Sequence, residues 1–276
     1  MLEEKALKLR RMIVRIASVT GAGHITSSLS SLDIICALYL GGIMRYDPKK
    51  PDWAERDRFV LSKGHAALAL YCVLAEAGYF KAENLLTFCG KGSKYGGLTT
   101  TGVPGVECYS GSLGHGLSFA VGYALSAKIQ ERDTLVYALT GDGECQEGSI
   151  WEAAMSITQM NLNNLIWIID KNDIQLSGRV QETMSLDPLD KKLISFGFDV
   201  ATINGHSYDE IIKTLQLVQN SKREKPFAII ANTIKGAGVP FLENKLGWHG
   251  RKPNQDELQT IISDLGLTSE EFEAIL

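Results

Sequence analysis

Two kinds of apolar pattern alternate along this chain: short runs that stop at polar or glycine-rich turns, and longer stretches whose apolar residues recur every three to four positions. The first kind fits parallel strands buried on both faces, the second amphipathic helices. Residues 2–19 carry Leu2, Leu9, Met12, Ile13, Ile16 and Val19 with Lys and Arg between them, which predicts a helix. A turn at 21–28 offers several caps, and the run to Leu40 predicts the next helix. The charged stretch 47–57, with Pro48 and Pro51, reads as a loop before a short strand at 58–61 and a helix at 66–77. Residues 90–110, rich in Gly, Thr and Ser, read as a long loop, which in a compact domain is usually functional or mobile. A helix through Ile129 follows.

The segment from Thr134 to Ile174 is the clearest. An apolar strand at 135–139 stops at Thr140-Gly141-Asp142-Gly143, a helical pattern covers 148–160, and a second strand at 165–169 ends at Asp170-Lys171-Asn172-Asp173. A right-handed crossover makes the two strands parallel neighbours. Asp142 and Asn172, 30 positions apart, then both project from carboxyl ends of adjacent strands, where open α/β sheets bind ligands. A carboxylate from Asp142, an amide oxygen from Asn172 and the carbonyl of Ile174 suit Mg²⁺, a hard cation that shares its shell with phosphates; Ca²⁺ or Mn²⁺ could substitute. Gly141 and Gly143 let the backbone approach a diphosphate, whose charge the following helix N-terminus favours.

Beyond this unit the pattern gives a polar loop at 175–183, a helix at 187–196, a strand at 198–203, a helix at 208–218, a strand at 227–231 and one or two short terminal helices. Asn204-Gly205-His206-Ser207 reads as a turn and cap with His206 structural. The expected fold class is α/β, doubly wound, with a mainly parallel sheet of about five strands and helices on both faces, residues 1–276 forming one domain. A net charge of −4 without a long basic run argues against nucleic-acid and anionic-membrane partners. No apolar stretch reaches membrane-spanning length and the amino terminus lacks a signal-peptide core, so a cytoplasmic protein is expected. Five cysteines without a CxxC pair read as reduced thiols, and Cys145 as a small filler rather than a nucleophile.

Gly-Asp-Gly alone is a common turn. Followed 30 residues later by Asn, it resembles the thiamine-diphosphate motif, and GDGECQEGSIWEA from Gly141 closely resembles the transketolase version. Other segments resemble transketolase elements in family order. Gly23-His24-Ile25-Thr26-Ser27 is similar to the Gly-His-x-Thr-Ser element, which implies that His24 faces the substrate and Ser27 the cofactor; a cap or surface histidine is the plainer reading. LSKGHAALALY implies that His65 donates to a diphosphate oxygen, against a satisfied structural role. Gly111-Ser112-Leu113-Gly114-His115-Gly116 resembles GSLGQG, whose backbone lies against the cofactor; His115 replaces Gln and carries no assigned role. A dinucleotide fingerprint is rejected there, because no strand immediately precedes it. The resemblance also implies cofactor contacts from Gly143, Glu144, Asn172, Lys235 and His249, with His249 a proton shuttle or diphosphate donor. Glu147 matches the family acid at the subunit interface, where an exposed glutamate at a helix start is the plain alternative. Gly96-Gly97-Leu98 stands where many transketolases have Gly-His-Pro, so a sugar-contacting imidazole is missing.

The resemblance spans essentially the whole chain and implies the diphosphate-binding amino-terminal third of a transketolase. In that family the glutamate that activates thiamine belongs to a pyrimidine-binding domain, so this chain is expected to be inactive alone. It implies one subunit of a split enzyme: two copies paired, two copies of a carboxy-terminal partner (α2β2), and ketol transfer from a ketose phosphate to an aldose phosphate. The alternatives are a deoxyxylulose-phosphate synthase-like or 2-oxoacid dehydrogenase-like subunit, or a non-catalytic cofactor-binding subunit.

Overall fold

The computed structural model describes residues 1–221 and 224–276. Helices α1 (Leu2–Thr20) and α2 (Ile25–Leu40) precede strand β1 (Arg58–Leu61). A 3-10 turn at Gly64–Ala66 opens α3 (Ala67–Glu76); a second, Ala82–Thr87, lies in the segment before α4 (His115–Ile129). Next come β2 (Val136–Gly141), α5 (Gly148–Gln159) and β3 (Leu165–Lys171). A small hairpin, β4 (Ile174–Gln175) and β5 (Gly178–Arg179), leads to short helices α6 (Val180–Met184) and α7 (Leu189–Ser195). Strand β6 (Asp199–Asn204), α8 (Tyr208–Asn220), β7 (Phe227–Asn232), α9 (Gln255–Asp264) and α10 (Ser269–Glu273) complete the chain.

β1, β2, β3, β7 and β6 form one parallel sheet in that spatial order. Alternation along each strand divides its side chains between two cores. Phe59, Leu61, Tyr137, Leu139, Ile166, Ile168 and Ile229 face α1, α2, α3 and α8, whereas Val60, Ala138, Trp167, Ile169 and Ile230 face α4, α5 and α7. The handedness rule explains the placement of two crossovers: β3 to β6 steps outward with α7 on one face, and the return to β7 reverses direction, so α8 lies on the other. Among the described residues no helix is long and apolar enough to cross a membrane.

The expected elements form close to their predicted bounds, with one correction. The stretch 175–183 is not only a polar loop: it holds most of the β4–β5 hairpin and the start of α6. Gln175 Nε2 donates to Ser177 Oγ at 2.9 Å, and its Oε1 accepts from Gln146 at 2.7 Å, so a distant side chain secures the turn. The helix expected from 187 begins at Leu189, just after Pro188. Proline suits a helix entrance, since the missing N–H would have had no intrahelical partner there.

Register sets the functional edge. Gly141 pairs with Asp170, which in turn pairs with Ala231, so the turns after β2, β3 and β7 leave the sheet at one level. Leu61 pairs with Leu139, which brings the turn after β1 to the same level.

Candidate functional site

The turns after β1, β2, β3 and β7, with the start of α2, surround a cavity of about 250 Å³ at the carboxyl edge. Asp142 Oδ1 accepts the Gly143 N–H at 2.8 Å and Oδ2 the Asp173 N–H at 2.6 Å, so this carboxylate ties the β2 turn to the β3 turn. Asn172 is buried and its Oδ1 accepts the Ile174 N–H at 3.2 Å. The Ile174 carbonyl accepts Lys235 Nζ at 2.8 Å. Asp142, Asn172 and Ile174 all line the one cavity, the juxtaposition that the 30-residue spacing predicts.

Burial, then the neighbouring Asp170 charge, pushes the Asp142 carboxyl up to about 6. A bound cation would reverse that, because it favours the ionised form. No group of three or more His, Cys, Asp and Glu able to hold a metal occurs among the described residues. An ion here would therefore rest on mixed oxygen ligands and complete its shell from a bound anion or water, as Mg²⁺ does. The Ser27 hydroxyl lines the cavity, is 1% exposed and has no hydrogen-bond partner. An orphaned donor beside a buried ammonium fits an anionic ligand. A Cβ at Gly143 would lie 3.0 Å from Gln175 Cβ, so a side chain there would crowd the hairpin where it approaches this turn. The donor set thus fits a metal diphosphate.

Three of the five histidines meet above this floor. Ring centroids lie 5.3 Å apart for His24–His65, 5.3 Å for His24–His249 and 4.9 Å for His65–His249. Desolvation, reinforced by Lys235, lowers His249 to about 3 and also lowers His24; desolvation and then Lys63 hold His65 well below its ordinary value. All three are neutral near pH 7, each with one N–H donor and one acceptor. Lys235 Nζ lies 3.0 Å from His249 Nδ1; an ammonium can only donate, so the His249 proton resides on Nε2. Desolvation, then Lys63, brings the Lys235 ammonium down to about 8.

Of the other predicted positions, Leu113, Glu144 and Glu147 line the cavity, Glu147 at its exposed rim. The Glu144 carboxylate accepts the Ser62 hydroxyl, the Gly114 N–H at 2.9 Å and the Gly141 N–H at 3.0 Å. It binds three segments together, and any cofactor contact from this position falls to the backbone. Gly111 and Ser112 are exposed and lie outside the cavity lining. Cys145 is buried, its Sγ donates to the Gly141 carbonyl at 3.2 Å, and desolvation raises its thiol well above the ordinary range, which suits the filler reading. His115 is exposed.

Sequence reasoning missed the ion pair beneath the site. Lys63 Nζ donates to Asp170 Oδ2, which also accepts Ser30 Oγ at 2.7 Å and Ser31 Oγ at 3.0 Å, while Thr233 donates to Oδ1. A lysine and an aspartate closing otherwise apolar runs were the available signal.

The family described as transketolase, thiamine diphosphate binding domain, matches residues 3–275. The chain belongs to this family. It is 41% identical over 272 residues to one of the subunits of apulose-4-phosphate transketolase from Phocaeicola vulgatus, covering 99% of this chain and 96% of that protein. It is 38% identical over 265 residues to the 6-deoxy-6-sulfo-D-fructose transketolase subunit SqwG of a Clostridium species, covering 96% of each. Human transketolase is 35% identical over 265 residues, covering 96% of this chain but 42% of the human protein. Among solved structures, transketolase from Campylobacter jejuni superposes with a TM-score of 0.89 at 33% identity, covering 96% of this chain and 43% of that one. This transketolase chain matches its subunit relatives nearly end to end and corresponds to the amino-terminal domain of the single-chain enzymes. It is one chain of a transketolase-type transferase.

Proposed function

We propose that residues 1–276 act as the diphosphate-binding domain of a split transketolase, with Mg²⁺ held by Asp142, Asn172 and the Ile174 carbonyl. The observation that carries this reading is the shared cavity of those three residues beneath three neutral histidines. With a carboxy-terminal subunit bearing the pyrimidine-binding domain, the chain moves a two-carbon ketol unit from a ketose phosphate to an aldose phosphate. Pairing of two copies of each chain, with Glu147 at the contact, is the assembly this reading implies. Two relatives of matching extent are named as transketolase subunits, which supports a partner.

Bound thiamine diphosphate supplies an electron sink for the carbanion left when the ketose carbon–carbon bond breaks. The chain's own residues hold and orient. Asp142 and Asn172 would hold the ion, and Lys235 with the unpartnered Ser27 hydroxyl would meet its anionic partner. His65, the most buried imidazole of the three, serves as a fixed donor to a diphosphate oxygen. His24, kept neutral by burial and by Lys235, can take a hydroxyl proton and return it, whereas His249, whose Nδ1 accepts from Lys235, presents its Nε2–H as a donor to a substrate oxygen. Gly97, where many transketolases carry His, leaves a position bounded by Cys89 Sγ, 3.3 Å from where a Cβ would sit. The sugar therefore meets a different wall here. Two relatives that match the chain end to end are named for apulose 4-phosphate and 6-deoxy-6-sulfo-D-fructose, so donors and acceptors beyond the usual pentose phosphates fit this reading.

The test is to purify the chain with its carboxy-terminal partner and assay a panel of ketose phosphates and sulfonated ketoses with aldose acceptors. Ketol transfer that needs both Mg²⁺ and thiamine diphosphate is expected; cofactor binding without transfer across the panel overturns the transketolase reading. In the same complex, His65→Ala raises the cofactor Kd about tenfold or more through loss of a buried donor. His249→Ala chiefly lowers kcat, by about 100-fold, through loss of a fixed hydrogen-bond donor beside the reacting carbon. Equal falls in melting temperature, with no such division between Kd and kcat, would assign both rings to scaffolding.

A further inference from the structure

A larger hollow, about 450 Å³, lies behind the segment that carries Lys235, and its lining includes Arg10, Asp33, His206, Tyr208 and Ile234. Asp33 is buried, and three elements converge on its carboxylate. Arg10 of α1 donates to Oδ2, Tyr208 at the start of α8 donates its hydroxyl to Oδ1 at 2.8 Å, and His206 Nδ1 lies 2.8 Å from Oδ2. The far ring nitrogen, His206 Nε2, accepts the Ile234 backbone N–H at 2.8 Å. A backbone N–H can only donate, so Nε2 is bare and Nδ1 carries the proton it gives to Asp33. One tautomer satisfies both contacts.

Ser207, not His206, caps α8, accepting the Glu210 N–H at 3.3 Å. That frees His206 to reach the segment after β7. The same segment is held by Arg10 Nε, which donates to the Ala237 carbonyl at 3.2 Å, and by the Gly236 N–H, which donates to the Thr26 carbonyl at 3.1 Å. Gly236 has φ +86, and a Cβ on it would lie 2.6 Å from the Leu242 carbonyl oxygen, so the path there admits glycine alone. Within this clamp Ile234 is the residue immediately before Lys235, whose ammonium contacts Ile174 O and His249 Nδ1 on the opposite side.

We infer that His206, fixed in one tautomer by Asp33, is a positioning residue for Lys235, setting the backbone register that aims the ammonium into the cavity. Its relevance to cofactor binding rests on the functional reading above; its effect on the segment does not. His206 touches no reacting atom and acts through the Ile234 peptide.

Two conservative substitutions separate positioning from packing, because Gln reaches the place of Nε2 whereas Asn reaches only the place of Nδ1. In the full-length chain, hydrogen exchange reads the Ile234 amide; in the complex with the carboxy-terminal subunit, calorimetry reads Mg²⁺-dependent thiamine diphosphate binding. His206→Asn is expected to speed Ile234 exchange and raise the Kd by about tenfold or more, the scale of one lost buried hydrogen bond. His206→Gln is expected to stay within about threefold of wild type in both, although it gives up Asp33. Unchanged values in His206→Asn, or equal losses in the two variants, would overturn the inference and leave His206 a packing group. If the wild-type complex binds no thiamine diphosphate, the functional reading fails and the exchange rates alone decide this one.

Discussion

Asp142→Asn abolishes Mg²⁺-dependent binding of thiamine diphosphate and costs the fold less than alanine does, since its amide oxygen still accepts one of the two backbone N–H groups. Asp142 is the one carboxylate among the three proposed ion ligands, and a neutral amide in its place removes the charge that offsets Mg²⁺ dehydration. Alanine is the harsher change. Both Asp142 oxygens accept partly buried backbone N–H groups, so Asp142→Ala loses two hydrogen bonds at about 1 kcal/mol each and lowers stability as well. Calorimetry of the complex with and without Mg²⁺ separates the effects, and retained affinity in Asp142→Asn would remove this residue from the metal site. The wild-type dependence on pH has a definite sign. With the carboxyl pushed up to about 6, the ion competes with a proton, so metal affinity falls by about tenfold per pH unit below that value. Stability of the metal-free fold runs the other way. A raised acid pKa stabilises fully below the ordinary value of 3.8, and the contribution is lost as pH rises through about 6.

Lys63→Met lowers the free energy of unfolding by about 3–5 kcal/mol, the usual cost of leaving half of a buried ion pair. Lys63 and Asp170 are 2% and 0% exposed, so solvent can replace neither partner. Burial alone would raise the Asp170 carboxyl, but the Lys63 charge and the Lys63, Thr233 and Ser30 hydrogen bonds outweigh it and hold it at about 2. Stability from this group is therefore present above 3.8 and lost as pH falls through about 2. The double variant Lys63→Met/Asp170→Asn should lose less than the two single losses summed, since no charge is stranded. Urea unfolding at pH 7 checks both statements. A loss below about 1 kcal/mol for Lys63→Met would show that Asp170 finds compensation elsewhere.

Much of this architecture is legible in the sequence because parallel strands buried on both faces must be largely apolar, and each of the runs at 135–139, 165–169 and 227–231 stops within two residues of its strand's end. That is also why Asp142 and Asn172 could be placed together: short-range spacing and crossover handedness suffice. Strand order is different. Nothing in the composition of 227–231 says that it pairs with both β3 and β6, since neighbours are selected by long-range packing. The meeting of His24, His65 and His249 was likewise invisible to periodicity, and their mutual distances come from the fold. His206 was read as part of a cap because Asn-Gly-His-Ser is locally a turn, whereas its partners Asp33 and Ile234 lie far away along the chain.

The place of β7 between β3 and β6 also governs how the molecule can be assembled as it is made. Residues through Asn204 leave the ribosome while the slot that β7 will fill is still vacant, so two strand edges stay unsatisfied for a time. The half of the cavity that carries Asp142 and Asn172 can take shape during this interval, but its Lys235 and His249 wall cannot, because both follow β7 in the chain. A ligand that needs both walls can therefore be enclosed only after residue 249 has emerged, and a nascent chain stalled before residue 227 would expose an adhesive gap open to chaperones or to other unfinished copies.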